Sequence, residues 1–215
     1  MPIVQLQSEF AAALSIAPPS YTWSGKPSAA GNSGMIIRVT DQMNSLWRSD
    51  GTYWLPEGGN QCVYSPVLSG VTSQSATLQV VAGLPGWSIP SDMAGIPRLC
   101  IEAYATCSVS PPSSAQARQI YIGVDADKNC IASHQYTSTS SGKRVWGRLT
   151  KEGSSTNWTA YAGNANYVAD GTSRNSVLQS DLIASPIRLY YRGGNTDGSE
   201  TITVVNFAIE VGVGP

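Results

Sequence analysis

The chain has 215 residues, enough for one large domain or two small ones. Charged residues make up only 13% of it and the net charge is −1, so we expect no nucleic-acid partner. Hydrophobic residues make up 41% and include six Trp and ten Tyr, which excludes global disorder. No apolar run approaches the roughly 20 residues of a membrane span, so we expect neither membrane insertion nor a secretory signal.

Residues 1–33 form an N-terminal segment. Ser8 to Leu14 is predicted as a short helix, because Ser8 can cap it and Glu9 lies in its first turn. Gly25 to Asn32 is rich in Gly, Pro, Ser and Ala, which is typical of a linker.

Gly34–Gly59 is predicted as a small β-meander. Three short runs that contain apolar or aromatic residues, Met35–Val39, Ser45–Arg48 and Thr52–Leu55, are separated by polar turn residues. Asp50-Gly51 stands between the last two, and Asp-Gly in that position is a strong hairpin signal.

This meander also carries a resemblance to a known class of proteins. Its pattern R-V-T-D … L-W-R-S-D-G-T-Y-W-L-P resembles small β-modules of bacteriophage tail fibres and other virion appendages. The resemblance implies a virion protein, assembled in the host cytoplasm, of the tail-fibre, receptor-binding or head-decoration type. It also implies a homotrimer, since fibre modules form threefold assemblies and short meanders rarely hold a core alone.

Two sets of side chains are given roles in this interpretation. The apolar residues of the N-terminal segment are predicted to dock onto other virion proteins: Ile3, Val4, Leu6 and Phe10. The aromatic residues of the meander are predicted to pack within or between subunits rather than bind a ligand: Trp47, Tyr53 and Trp54.

Residues 60–215 are predicted as one all-β body. Nine strand candidates follow one another with turn signals between them: Ala76–Ala82, Arg98–Val109, Gln119–Val124, Cys130–Tyr136, Arg144–Thr150, Asn157–Ala162, Ser176–Ile183, Ile187–Arg192 and Thr201–Val211. The predicted fold class is therefore all-β, a jelly-roll-like antiparallel sandwich preceded by the meander and a short N-terminal docking segment.

Two long strands show alternation. In Arg98–Val109, one face carries Leu99, Ile101, Ala103 and Ala105, and the other carries Cys100, Glu102 and Tyr104. In Thr201–Val211, strict alternation predicts one face with Ile202, Val204, Asn206, Ala208 and Glu210. Such a long apolar strand is expected to be central in its sheet or covered by another subunit. The basic cluster Lys143, Arg144 and Arg148 is predicted to be a solvated strand edge.

No catalytic or metal-binding pattern emerges. Asp125–Asn129 begins like a calcium loop, but Cys130 and Tyr136 stand where Gly and Glu are needed, so we predict a tight turn. His134 is the only histidine, and no G-x-S-x-G elbow accompanies it. No pair of acids is marked out for glycoside hydrolysis. We predict a protein that is not an enzyme, with no metal and no cofactor.

The four cysteines are Cys62, Cys100, Cys107 and Cys130. Their spacing fits no zinc site, and we expect them to act as small interior hydrophobes, with disulfides as the alternative.

One region carries the residue types of a sugar-binding surface. It is rich in aromatic rings and amides: Trp158, Tyr161, Asn164, Asn166 and Tyr167. The alternative is a core Trp followed by a polar loop.

Together these features predict a non-enzymatic virion structural protein, a trimeric tail-fibre-like appendage for host attachment that binds a surface glycan. The alternatives are a capsid decoration or cement protein, and a carbohydrate-binding module or carbohydrate-active enzyme.

Overall fold

The computed structural model describes residues 17–68, 72–73, 77–107, 118–124, 130–136, 142–152, 155–162, 176–192 and 202–212. The predicted helix at Ser8–Leu14 and the docking residues Ile3, Val4, Leu6 and Phe10 lie outside these ranges, as does Asp125–Asn129. Among the residues described, no helix is long and apolar enough to cross a membrane.

The described residues are nearly all in strands and the turns between them. The strands are β1 (Ser20–Tyr21), β2 (Ile36–Val39), β3 (Ser45–Ser49), β4 (Trp54–Pro56), β5 (Gln61–Tyr64), β6 (Thr72–Ser73), β7 (Gln79–Val80), β8 (Arg98–Cys107), β9 (Arg118–Gly123), β10 (Cys130–Tyr136), β11 (Gly142–Thr150), β12 (Asn157–Ala162), β13 (Ser176–Leu178), β14 (Arg188–Arg192) and β15 (Ile202–Gly212). A 3-10 turn spans Ser91–Met93, and one short helix, α1, spans Gln179–Ala184.

The meander folds as predicted into β2, β3 and β4, joined by antiparallel pairing. The Asp-Gly signal marks the β3–β4 turn, where Asp50 Oδ1 accepts hydrogen bonds from the backbone N–H groups of Thr52 and Tyr53, each at 2.7 Å. The structure adds β1, which pairs with β2 in parallel and completes a four-stranded meander sheet.

The predicted linker packs on this sheet. The Trp54 indole donates a hydrogen bond of 3.1 Å to the carbonyl of Pro27, and Ser49 Oγ donates one of 2.8 Å to the carbonyl of Ala29. Residues 25–32 are therefore held by specific contacts, a result that their Gly- and Pro-rich composition alone does not indicate.

Two further sheets form a sandwich. The large sheet has the order β13-β12-β11-β8-β15-β5, with β6 also paired to β15, and the small sheet has the order β10-β9-β14-β7. The two pack face to face, so closely that a Cβ added at Gly147 of β11 would lie 2.8 Å from Ile131 Cγ2 of β10.

The connections between the two sheets confirm the predicted fold class. The chain leaves the large sheet after β8, returns after β10, and crosses again to β14 and back to β15. Repeated crossing between two packed antiparallel sheets is jelly-roll-like connectivity. β15 lies between β8 and β5, so its apolar length is covered by neighbouring strands on both sides.

One local prediction is wrong and another holds in part. The candidate strand Ser176–Ile183 ends at Leu178 and continues as α1, whose first turn carries Asp181 and whose Leu182 is buried. In the predicted basic strand edge, Arg144 is exposed and pairs, among the described residues, with β8 alone, whereas Arg148 pairs with both β8 and β12 and lies inside the large sheet.

Candidate functional site

The outer face of the large sheet carries the site. Its inner face is packed into the sandwich core by side chains such as Leu99, Ile101, Val145 and Leu149. On the other face, three neighbouring strands place nine residues in three cross-strand rows, which we call the outer-face patch: Arg148–Cys100–Glu210, Trp146–Glu102–Ala208 and Arg144–Tyr104–Asn206.

A β-bulge in β15 turns the three patch residues of that strand, Asn206, Ala208 and Glu210, to the outer face. The pairing with β8 shifts between Val204 and Asn206, and Val205 is the extra residue. Ile202 and Val204 point inward before the bulge, whereas Phe207, Ile209 and Val211 point inward after it. The prediction that Ile202 and Val204 share a face with Asn206, Ala208 and Glu210 is therefore wrong, because the bulge reverses the alternation.

The patch contains a surface depression of about 280 Å³. It is lined by Cys100, Ile101, Glu102, Arg144, Trp146, Gly147, Asn206, Ala208 and Glu210. The small side chain of Ala208, opposite Glu102 in the central row, leaves the space that larger residues on both sides enclose.

Two aromatic side chains of the patch are exposed. Trp146 is 40% exposed and Tyr104 is 37% exposed, whereas the other five tryptophans of the chain are each 9% exposed or less. An exposed Trp on a half-buried sheet face offers a large apolar ring with a polar N–H at its edge. Such residues are enriched at binding surfaces.

An ion pair lies between the two aromatic residues. Arg144 Nη2 donates a hydrogen bond of 2.5 Å to Glu102 Oε2 across β11 and β8. The hydrogen bond and the negative charge of Glu102 raise the pKa of the Arg144 guanidinium above its ordinary value. The pair fixes the Glu102 carboxylate at the centre of the patch.

Two of the four cysteines, Cys62 and Cys100, lie on this outer face rather than in the core, and the side chains of Cys107 and Cys130 lie outside the described part of the structure. Cys62 of β5 and Cys100 of β8 are half-buried free thiols on either side of Glu210. With β15 between them their Cα atoms are roughly 10 Å apart, beyond the reach of a disulfide. Burial raises the pKa of both thiols, and Glu210 adds to the rise, although the Tyr64 backbone opposes it at Cys62 and two arginines oppose it at Cys100. Both are therefore poor nucleophiles at neutral pH.

The described residues contain no group of three or more His, Cys, Asp or Glu side chains that could hold a metal ion. What the patch offers chemically is a ring face, a fixed carboxylate and an amide around a shallow depression. This set of groups suits recognition of a small polar ligand.

Of the residues predicted for glycan binding, the structure describes the side chain of Trp158 only. Trp158 is fully buried beneath Lys151, whose Nζ lies 5.3 Å from the ring centroid, so it presents no face to a ligand. This matches the alternative of a core Trp. Tyr161 lies in β12, paired with Arg148 along the backbone, while Asn164, Asn166 and Tyr167 fall outside the described residues.

The three aromatic residues of the meander make packing contacts with other residues of the same chain. Trp47 and Trp54 are fully buried, and the Trp47 ring meets the Trp23 ring edge-on at 4.9 Å. Tyr53 is 38% exposed and lies over Gly95, where an added Cβ would be 2.5 Å from its ring.

The outer-face patch is not predicted from the sequence, although the sequence contains part of the signal. Cys100, Glu102 and Tyr104 were correctly placed on one face of β8, and Arg144, Trp146 and Arg148 alternate in the same way on β11. What the sequence does not show is that these two strands are neighbours, which depends on the crossing connections of the sandwich.

No protein-family model and no curated protein matches the sequence. Similar solved structures include the CBM2 module of the evolved Dit of Lactobacillus casei BL23 phage J-1, at 9% identity and a TM-score of 0.28, covering 76% of this chain and 83% of that one. The infectious bursal disease virus VP2 subviral particle matches at 11% identity and 0.26, over 72% of this chain and 33% of that one. Metal-free lectin I-B4 of Griffonia simplicifolia matches at 8% identity and a TM-score of 0.27, covering 83% of this chain and 91% of that one. At these TM-scores the likenesses carry no functional inference.

Proposed function

We propose that the protein is a non-enzymatic structural protein of a bacteriophage virion, a tail-fibre-like appendage that attaches the particle to its host through a surface glycan. The outer-face patch is its binding face. One observation carries this proposal, namely the exposed Trp146 beside the Arg144–Glu102 ion pair at the edge of a depression. The virion assignment is supported by the resemblance of Gly34–Gly59 to fibre modules.

The depression favours a small ligand over a protein partner. Its volume of about 280 Å³ is close to the lower end of the range for small-molecule sites, about 300–1,000 Å³. A capsid decoration protein clamps capsid subunits over a broad surface and does not need such a depression, so an attachment protein fits this face better.

Attachment is tested with the purified protein and the phage. We expect the wild-type protein to bind host cells and to block phage adsorption in competition. Trp146→Ala should lose both effects, whereas Leu178→Ala, which removes an exposed side chain on β13, should retain them. Wild-type protein that binds no host cells, together with immunogold label on the head, would favour the decoration role instead.

Trimerisation is part of the proposal and has its own test. Sedimentation equilibrium of the full chain should give three times the monomer mass of 22.7 kDa. A monomer at micromolar concentration would remove the threefold fibre from the proposal.

A carbohydrate-active enzyme is the second candidate, because the patch holds two carboxylates. Glu102 and Glu210 are diagonal neighbours on adjacent strands, with Cα atoms roughly 7–8 Å apart. Inverting glycosidases use carboxyl groups at comparable separations. Release of reducing ends from host polysaccharide by the wild type, abolished in Glu210→Gln, would overturn the non-enzymatic assignment.

A further inference from the structure

We infer that the depression beside Trp146 binds an uncharged pyranose unit of the host polysaccharide, with the sugar ring stacked on the indole. This inference rests on the proposed attachment function and specifies its ligand class. It excludes as the main ligand an acidic polysaccharide, whose recognition would be dominated by charge.

The lining of the depression has no excess of positive charge. It includes one cation, Arg144, and two carboxylates, Glu102 and Glu210. Arg144 is already paired with Glu102. Two further cations, Arg148 and Arg98, lie beyond the lining, and Arg98 donates a hydrogen bond to Asn60 Oδ1. A surface that concentrates an acidic polymer needs an excess of positive charge beside the ligand, and this depression has none.

Hydrogen-bonding groups surround the exposed ring. Within the described part of the chain, no residue bonds the indole N–H of Trp146, the side-chain amide of Asn206 or the second carboxylate oxygen of Glu102, Oε1. Together they supply donors and acceptors on either side of the small Ala208. Sugar hydroxyls, which both donate and accept, match this mixed set, whereas a purely apolar ligand would leave it unsatisfied.

The position of Trp146 permits a direct optical test. Because the other five tryptophans are each 9% exposed or less, collisional quenching by acrylamide reports mainly on Trp146. We expect neutral gluco-, galacto- or manno-oligosaccharides, or a neutral fragment of the host polysaccharide, to lower the quenching constant of the wild type. The expected limit is the value of Trp146→Phe, which lacks the exposed indole.

Affinity measurements on an array of neutral and acidic glycans then separate the ligand classes. Trp146→Ala should weaken binding of the neutral ligand about tenfold or more, and Trp146→Phe less, because a ring remains. Glu102→Gln should also weaken binding of the neutral ligand about tenfold, because it replaces the charged acceptor with a neutral amide of similar shape. Leu178→Ala is the control, and thermal denaturation of each variant verifies that it is folded.

The outcomes distinguish this inference from the proposed function. Binding of neutral glycans that changes little between 50 and 500 mM salt and is lost in Trp146→Ala supports both. Host-cell binding through acidic glycans only, or binding that Trp146→Ala leaves intact, overturns the neutral pyranose site while attachment stands. A wild-type protein that binds neither host cells nor any glycan overturns both.

Discussion

Lys151 is a buried cation at the end of β11. Its ammonium donates hydrogen bonds to the carbonyl of Ala94 and, at 3.0 Å, to Gln179 Oε1, and it lies over the Trp158 ring, 5.3 Å from the centroid. Burial lowers the pKa of this lysine below its ordinary value of 10.5. In the sequence, Lys151 stands next to Glu152 and Gly153, a pattern typical of a polar turn. A lysine next to a turn carries no signal of burial when the groups that cover it, at Ala94 and Gln179, are distant in sequence.

The lowered pKa of Lys151 predicts a pH-dependent stability. Between the lowered folded-state pKa and 10.5, the unfolded chain binds more protons than the folded chain, so the free energy of unfolding rises with pH through that window. Below the window the penalty for burying the charged form is fully present. Lys151→Met keeps the packing on Trp158 but cannot titrate, so it should lack this rise. Urea unfolding of both proteins from pH 7 to pH 10.5 tests it, and parallel profiles would contradict it.

Met43 adopts a backbone conformation that side chains disfavour. In the turn between β2 and β3, Met43 has φ 55° and Asn44 has φ 56°, and Met43 is 53% exposed, so it gains little from packing. Met43→Gly should therefore raise the free energy of unfolding by about 0.5–1 kcal/mol. Asn44→Gly is the matched control and should change it less, because Asn tolerates this region. A Met43→Gly variant with a lower melting temperature would show that the side chain contributes contacts that outweigh the strain.

At the scale of the strand, alternation of apolar and polar residues predicts the outward residues of β8 correctly but not those of β15. The outward residues of β8, Cys100, Glu102 and Tyr104, follow from a regular period of two. β15 contains the apolar run Ile202 to Val205, in which either Val204 or Val205 could be the inward residue, so the bulge that exposes Val205 cannot be located from the pattern alone. Without the bulge, Asn206, Ala208 and Glu210 would point into the core and the patch would lose a column.

Gly147 sets the distance between the two sheets behind the patch. An added Cβ would lie 2.8 Å from Ile131 Cγ2 and 3.0 Å from Ala132 Cβ, neither of which can move without shifting β10. Gly147→Ala should therefore lower the free energy of unfolding by about 1–3 kcal/mol. Val205 of β15 is 55% exposed, so Val205→Ala serves as the control and should change the free energy of unfolding by less than about 0.5 kcal/mol. Equal melting temperatures for Gly147→Ala and the wild type would mean that the sheets separate more freely than their packing indicates.

At the scale of the whole molecule, the meander shares a core with the sandwich. One cluster of buried side chains runs from Trp23 through Trp47 and Trp54 to Val211. The turn signals that predict the meander are local. The sequence therefore predicts a meander that precedes the sandwich, but not the core they share, because the contacts that join them link residues far apart in the chain and leave no periodic pattern.

Asp92, in the 3-10 turn, is the main polar contact of this junction. One carboxylate oxygen accepts a hydrogen bond of 3.0 Å from the Trp23 indole, and the other pairs with the ammonium of Lys26, which is itself buried against the Trp23 ring at 3.9 Å. Loss of the carboxylate would leave the Trp23 indole N–H without its acceptor. It would also leave the Lys26 ammonium, whose side chain is only 5% exposed, without its counter-ion and with the Trp23 carbonyl as its remaining acceptor.

Asp92→Ala should therefore lower the free energy of unfolding by about 1–3 kcal/mol, a range that allows for the partial exposure of Asp92 itself. Glu57→Ala, which breaks the more exposed pair with Arg48, should cost less than about 1 kcal/mol. Because the core is continuous, both variants should unfold in one transition, with tryptophan fluorescence and far-UV circular dichroism coincident during urea titration. If Asp92→Ala instead shows an early fluorescence transition followed by a later loss of strand signal, the meander unfolds independently, and the attachment face would then be carried by a sandwich that is stable without it.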